Sequence, residues 1–226
     1  MSQNFAVTAV RLTGAQRRAE LPLLVLGPPL GSAGTAAWAA TAGGLTDAFD
    51  VVAWDLPGHG HNRSLPEGPY TLAELAAAVL EVVDEILLHR DEVGGSFSYA
   101  GIGVGGAVGL QLMLDAPGRV RDAVLVDTDA CAPDAAPEGG PAAYDVRDRL
   151  AEVAVPVLTA SGAQDVARLV RGHVLGEEDV PTRDGHSRAL GALETHLREA
   201  LDGGVTSAEI GELLRRLDGP GPGGAE

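Results

Sequence analysis

Ser98-Tyr99-Ala100-Gly101-Ile102-Gly103-Val104-Gly105-Gly106-Ala107 carries an apolar run into a burst of glycines, and an amphipathic segment from Ala107 to Leu114 follows at once. The pattern predicts a strand, a sharp turn and a helix whose first amides stand free to meet an anion. Two chemistries use such a corner. In one, a serine at the tip of a Gly-x-Ser-x-Gly turn attacks an acyl group. In the other, Gly-x-Gly-x-x-Gly lets a dinucleotide pyrophosphate approach the backbone. Gly101, Gly103 and Gly106 satisfy the second spacing literally, and Asp127 ends the next expected strand. The position a nucleophile would occupy is Gly103, which has no side chain. Against the dinucleotide alternative, that motif belongs to a first βα unit, whereas at least two expected strands precede this one.

Other residues offer acid–base chemistry. Asp127 and Asp129 end the strand beside the corner, at the ligand edge of a parallel sheet, where a desolvated carboxylate can act as a general base. The plainer alternative is a solvated loop acid. His59 and His61 lie in the loop after a strand, and His59 reads as a loop-structuring residue. His173 and His186 are the histidines placed where a triad base could come from, with a surface role as the alternative. His196 reads as a boundary residue on a helix. Cys131 sits in a Pro- and Asp-rich loop without a base or cation close in sequence, so it does not read as a nucleophile. No His, Cys or carboxylate cluster has metal-ligand spacing, and no metal or cofactor is expected.

The elements that must position these residues alternate. Phe5–Leu12 reads as an opening strand, and Leu21–Leu26 and Phe49–Trp54 read as strands buried on both faces. A helical stretch around Ala36–Leu45 lies between the last two. Thr71 with Glu74 makes a capping box that opens a helix running to about His89. After the corner and its helix come a strand from Val120 to Asp127 and a Pro-, Gly- and Asp-rich loop over 128–143. A short helix near Tyr144–Val153 and a strand Val155–Ala160 follow. Beyond Asp165 the chain reads as helices, including Arg183–Leu201 with a leucine stripe. Strand–helix alternation up to Asp165 implies a mostly parallel sheet covered on both faces, an α/β class.

Composition bounds the rest. The chain has 226 residues, enough for one α/β core, with 32 acidic residues against 16 basic ones and a formal charge of -16. Such a surface repels phosphate backbones, which argues against nucleic acid as a partner. One cysteine excludes an internal disulfide and suits a reducing compartment. The N-terminus lacks a charged-then-apolar leader pattern, and no apolar run is long enough to span a bilayer, so a cytoplasmic protein without a membrane partner is expected.

Leu26-Gly27-Pro28-Pro29-Leu30-Gly31-Ser32 with Trp38, Trp54-Asp55-Leu56-Pro57-Gly58-His59-Gly60, and the stretch from Tyr99 to Leu112 together resemble the α/β-hydrolase superfamily, and within it the 3-oxoadipate enol-lactonases. Ala116-Pro117-Gly118-Arg119-Val120 and Val155-Pro156-Val157-Leu158 continue the likeness in order. Leu193 to Leu201, with Gly204-Val205-Thr206 and Glu209-Ile210, is similar to 4-carboxymuconolactone decarboxylase, which is fused behind the lactonase in some bacteria. The resemblance implies a three-layer α/β/α sandwich over 1–165 and a decarboxylase-like helical segment over 166–217, and the composition of 218–226 reads as a disordered tail. It puts the family's nucleophile on Gly103, its acid on Asp165 and its oxyanion-hole amides on Leu30 and Val104. The family's histidine should follow one further strand, which is not legible, and the segment between Asp127 and Val155 is too short for the usual cap, leaving a reduced lid. Without a serine no acyl-enzyme forms at Gly103. An oxyanion hole alone still supports some catalysis.

The expectation is therefore a degenerate hydrolase corner. It would do non-covalent acid–base chemistry with Asp165, Asp127 or His186 on a small lactone, β-keto acid or polyketide-like substrate, in aromatic catabolism or secondary metabolism. The alternatives are a catalytically silent binding or partner protein and, remotely, a dinucleotide-binding protein. A small-molecule ligand is the expected partner, and a homo-oligomer is compatible with the sequence.

Overall fold

A computed structural model describes residues 5–12, 20–132, 134, 140–162 and 165–177. The chain divides into two units, Met1–His186 and Ser187–Glu226, and every described residue lies in the first.

The element order is β1 (Thr8–Arg11), β2 (Leu23–Gly27), α1 (Gly34–Ala42), β3 (Asp50–Asp55), α2 (Leu72–His89), β4 (Phe97–Ile102), α3 (Val104–Asp115), β5 (Val120–Val126), β6 (Cys131–Ala132), β7 (Tyr144–Asp145), a 3-10 helix (Arg147–Glu152), β8 (Val157–Ala160) and α4 (Val166–Leu175). Six strands form one sheet in the order β1-β3-β2-β4-β5-β8. β1 runs antiparallel to β3, and the remaining neighbours are parallel. The unbroken apolar runs of β2 and β3 are buried along their whole length, as a sheet covered on both faces requires.

Side-chain alternation divides the core. Leu24, Leu26, Val51, Ala53, Ala100, Val124 and Val126 pack with Trp38 of α1 and with Val166 and Val170 of α4. Trp38 also donates its indole N–H to the Gly27 carbonyl at 3.1 Å. α4 thus packs into the same core as the sheet. α3 covers the other face, where Tyr99 and Leu125 meet its Gly109.

Local signals set several boundaries. Thr71 accepts from the Glu74 amide at 3.1 Å while the Glu74 carboxylate accepts from the Thr71 amide at 2.8 Å, so the expected capping box starts α2. Leu72, Leu75, Ala76, Val79, Val83 and Leu87 then recur at helical spacing and are buried. The short helix expected near Tyr144–Val153 is a 3-10 turn preceded by β7, which pairs with β6 inside the segment read as loop. The helix expected over Arg183–Leu201 lies outside the described residues.

At the opposite end of the sheet from the corner, Arg90 and Asp50 form a buried ion pair at 2.7 Å. Arg90 also donates to the Leu21 carbonyl at 2.7 Å and to Glu92. Arg11 Nε approaches the other Asp50 oxygen at 2.9 Å. One cluster ties the starts of β2 and β3 to the end of α2. Removing one partner of such a buried pair costs about 3–5 kcal/mol, because the other charge is left without compensation.

Candidate functional site

The site is the corner between β4 and α3. Gly103 caps the helix at φ 54 and ψ -119, a conformation that turns the chain sharply and lifts the tip above the sheet edge. Three backbone hydrogen bonds hold the turn. Gly103 donates its amide to the Val126 carbonyl at 3.0 Å, Gly105 to Pro28 at 3.0 Å, and Ala107 to Gly103 at 3.1 Å. The strand end, the neighbouring β5 and the β2–α1 loop are thereby locked together.

The glycines do different work. A Cβ on Gly101 would lie 2.6 Å from backbone atoms of Gly105 and Gly106, and one on Gly105 would strike the carbonyls of Gly27 and Pro28. At Gly106 it would run into the Thr128 side chain. These three are needed so that α3 can sit against β2, β4 and the loop after β5. Gly103 differs. The nearest atoms to a Cβ there are Pro29 Cβ at 3.8 Å and the Asp127 carbonyl oxygen at 4.0 Å, which is ordinary contact. The tip has room for a side chain and lacks one.

Beneath the turn, Tyr99 is fully buried and donates its hydroxyl to the Gly105 carbonyl at 2.7 Å, while the Trp54 indole N–H donates to the Tyr99 oxygen at 3.3 Å. Burial pushes the Tyr99 phenol well above its ordinary range, so it stays a neutral donor. Above the turn, the amides of Val104 and Leu30 donate to no described residue, and both residues are half-buried. Those are the two amides expected of an oxyanion hole.

Asp127 and Asp165 lie at the same carboxyl edge and are exposed. Asp127 holds a left-handed backbone at φ 46, donates its amide to the Ala160 carbonyl at 2.9 Å, and accepts the Gly162 amide on Oδ1 at 2.9 Å. Its own carbonyl faces the Gly103 tip. Asp165 follows the loop after β8 and caps α4, its Oδ1 accepting the Arg168 amide at 3.0 Å. His186 and His196 lie outside the described residues. His173 stands in the last turn of α4, its Nε2 3.4 Å from the Pro156 carbonyl.

Cys131 is half-buried opposite Asp145, and burial with the facing Asp145 charge pushes its thiol up. Among the described residues no group of three or more His, Cys, Asp or Glu could hold a metal ion, and no helix is long and apolar enough to cross a membrane. The sequence reading passed over three participants. Tyr99 under the turn and Thr128 against Gly106 are brought there by packing alone. The third is a contact between Asp55 at the end of β3 and His61 in the loop that follows, whose meeting depends on how that loop folds back.

The sequence model of the alpha/beta hydrolase fold matches residues 27–180. The chain is a member of the α/β-hydrolase fold family. A dihydrolipoyllysine-residue acetyltransferase component of an acetoin cleaving system from Cupriavidus necator is 42% identical over 82 residues, which are 36% of this chain and 20% of that protein. A 3-oxoadipate enol-lactonase from Acinetobacter baylyi is 26% identical over 113 residues, 50% of this chain and 39% of that one. This α/β-hydrolase chain therefore matches well under half the length of these curated relatives. Among solved structures, a hydrolase from Pseudomonas aeruginosa PA01 aligns at TM-score 0.49 and 28% identity, covering 85% of this chain and 66% of its own. The enol-lactonase from Burkholderia xenovorans LB400 aligns at TM-score 0.47 and 26% identity, covering 57% of this chain and 46% of its own. In this family setting the glycines that also satisfy a dinucleotide spacing belong to the hydrolase corner, Gly101 and Gly106 for packing and Gly103 at the tip, and that corner follows the fourth strand rather than the first.

Proposed function

We propose that this α/β-hydrolase chain works without a covalent acyl intermediate, by non-covalent acid–base chemistry on a small lactone or β-keto acid. The observation that carries the reading is Gly103: the turn that would present a nucleophile is built in full, its tip has space for a side chain, and no side chain is there. The amides of Val104 and Leu30 would hold a carboxylate or enolate of the ligand, a role that needs no serine. Asp127 and Asp165 each accept a backbone amide and so frame the edge around that ligand. The likeness to a 3-oxoadipate enol-lactonase supports the substrate class, with aromatic catabolism as the setting and secondary metabolism as the alternative.

The test is turnover of 3-oxoadipate enol-lactone by the full chain, followed in the ultraviolet, with intact-mass spectrometry under turnover and after treatment with a fluorophosphonate. Lactone opening with no acyl adduct and no fluorophosphonate adduct is expected. A stoichiometric adduct on any serine would overturn the non-covalent reading.

A second reading is a silent binding protein. The exposure of both carboxylates at the edge favours it, since a solvated carboxylate is a weak base. It predicts saturable binding of 3-oxoadipate, seen as a shift of the Val104 amide resonance, with no lactone opening.

A further inference from the structure

We propose that His61, oriented by the buried carboxylate of Asp55, is the general base of the reaction at this sheet edge. The inference rests on the acid–base reading above and names its base.

Asp55 ends β3 and is buried. Its Oδ1 accepts the Gly34 amide at 2.5 Å. Its Oδ2 accepts the His61 amide at 2.8 Å and lies 3.3 Å from His61 Nδ1. A carboxylate that meets only N–H donors requires the ring nitrogen facing it to be the protonated one. Nδ1 therefore carries the hydrogen and Nε2 keeps its lone pair. The His61 side chain is 58% exposed, so nothing walls that nitrogen off from a ligand or water. This is the arrangement in which a buried carboxylate sets the tautomer and the orientation of an imidazole.

The loop is built to keep that aim. Asn62, itself buried, donates its side-chain amide to the Asp55 carbonyl at 3.2 Å and to the Ala6 carbonyl at 2.9 Å. Asn62 also donates its backbone amide to the His59 carbonyl at 2.8 Å, and Gly58 donates to Ser64 at 2.9 Å. His59 is the natural competitor. Its Nδ1 lies 2.8 Å from the Pro57 carbonyl, a neutral partner whose hydrogen bond is weaker than one to a carboxylate.

The substrate class is that of the proposed function, and placement constrains its shape. β2 lies between β3 and β4, so the end of β3 stands two strand spacings, about 10 Å, from the corner. A ligand that rests a carboxylate on the Val104 and Leu30 amides must carry its reacting carbonyl several bonds away to meet His61. A small enol-lactone with a pendant carboxylate has that shape. His61 Nε2 takes a proton from water as the water oxygen bonds to the lactone carbonyl carbon. The ring C–O bond then breaks, and the departing enolate recovers the proton from His61 and becomes the ketone of a keto acid. One water is consumed and nothing is oxidised or reduced.

The experiment uses the full chain and 3-oxoadipate enol-lactone. His61→Gln is expected to lower kcat about 100-fold with KM little changed, the usual size of a general-base contribution. His61→Ala should recover turnover when imidazole is added, and His59→Gln should leave it intact. Thermal melts of the exposed-site variants matching the parent exclude misfolding. If the parent opens the lactone and His61→Gln does so equally well, the base assignment is overturned while the acid–base reading stands. A loss without imidazole rescue and with a raised KM makes His61 structural and also overturns the assignment. A parent that binds 3-oxoadipate without turnover overturns the acid–base reading and the base with it.

Discussion

Tyr99 donates its hydroxyl to the carbonyl oxygen of Gly105 at 2.7 Å, a bond that joins the end of β4 to the first turn of α3 beneath the corner. Helix starts normally leave amides, not carbonyls, in need of partners. Here a first-turn carbonyl is claimed by a phenol from the strand below, and the same phenol accepts from Trp54. The corner is therefore clamped from the sheet side while its amides face the opposite way.

Removing that clamp should be expensive for its size. Tyr99→Phe leaves the Trp54 indole N–H without its acceptor and the Gly105 carbonyl without this donor, both in a fully buried setting. A stability loss of about 1–3 kcal/mol is expected, the desolvation penalty of buried polar groups left unpaired. Urea denaturation followed by far-ultraviolet circular dichroism measures it. A loss near zero would mean that water replaces the hydroxyl.

The corner glycines should separate into two kinds. Gly103→Ala and Gly103→Ser should cost nearly the same, about 1–3 kcal/mol, because the penalty lies in the positive φ and the space beyond is open. Gly101→Ala should cost more than Gly103→Ala, because its Cβ meets backbone that cannot rotate away. Denaturation midpoints of the three variants decide this. A tolerated Gly101→Ala would mean that α3 can lift from the sheet, contrary to the packing described.

Alkaline pH should unfold the protein through its tyrosines. The chain has 3 tyrosines. Burial pushes Tyr70 and Tyr144 up to about 12 and Tyr99 higher still, each from an ordinary value of 10.0. A raised phenol favours the folded state's neutral form, so its contribution is complete below the unfolded value. It is lost as pH rises from about 10 through about 12. Absorbance at the phenolate band should stay flat through pH 10 and then rise together with loss of circular dichroism. A tyrosine that ionises near pH 10 in the folded protein would contradict the burial that raises it.

Short-range signals were legible and long-range ones were not. Thr71 and Glu74 announce α2 because a capping box is complete within one turn. α3 begins at Val104 rather than near Ala107, since Gly105 and Gly106 are poor helix formers kept for close packing, and propensity hides the first turn. β6 and β7 escaped notice because each has two residues and exists by pairing with the other. The Arg90–Asp50 pair joins positions far apart in the chain, and no local pattern encodes it. The same holds for Thr128 against Gly106.

What the sequence determined by itself was the kind of sheet, the place of its sharp corner and the glycine at the tip. Buried strands leave unbroken apolar runs, and a turn too tight for a Cβ leaves glycines. The tertiary structure alone decided which glycines serve packing and which one leaves an open tip. It also decided that the edge carboxylates accept backbone amides, and that a histidine in the β3 loop has a buried carboxylate behind it. Each of these depends on which atoms from distant segments share a few ångströms of space, a relation that spacing along the chain does not carry.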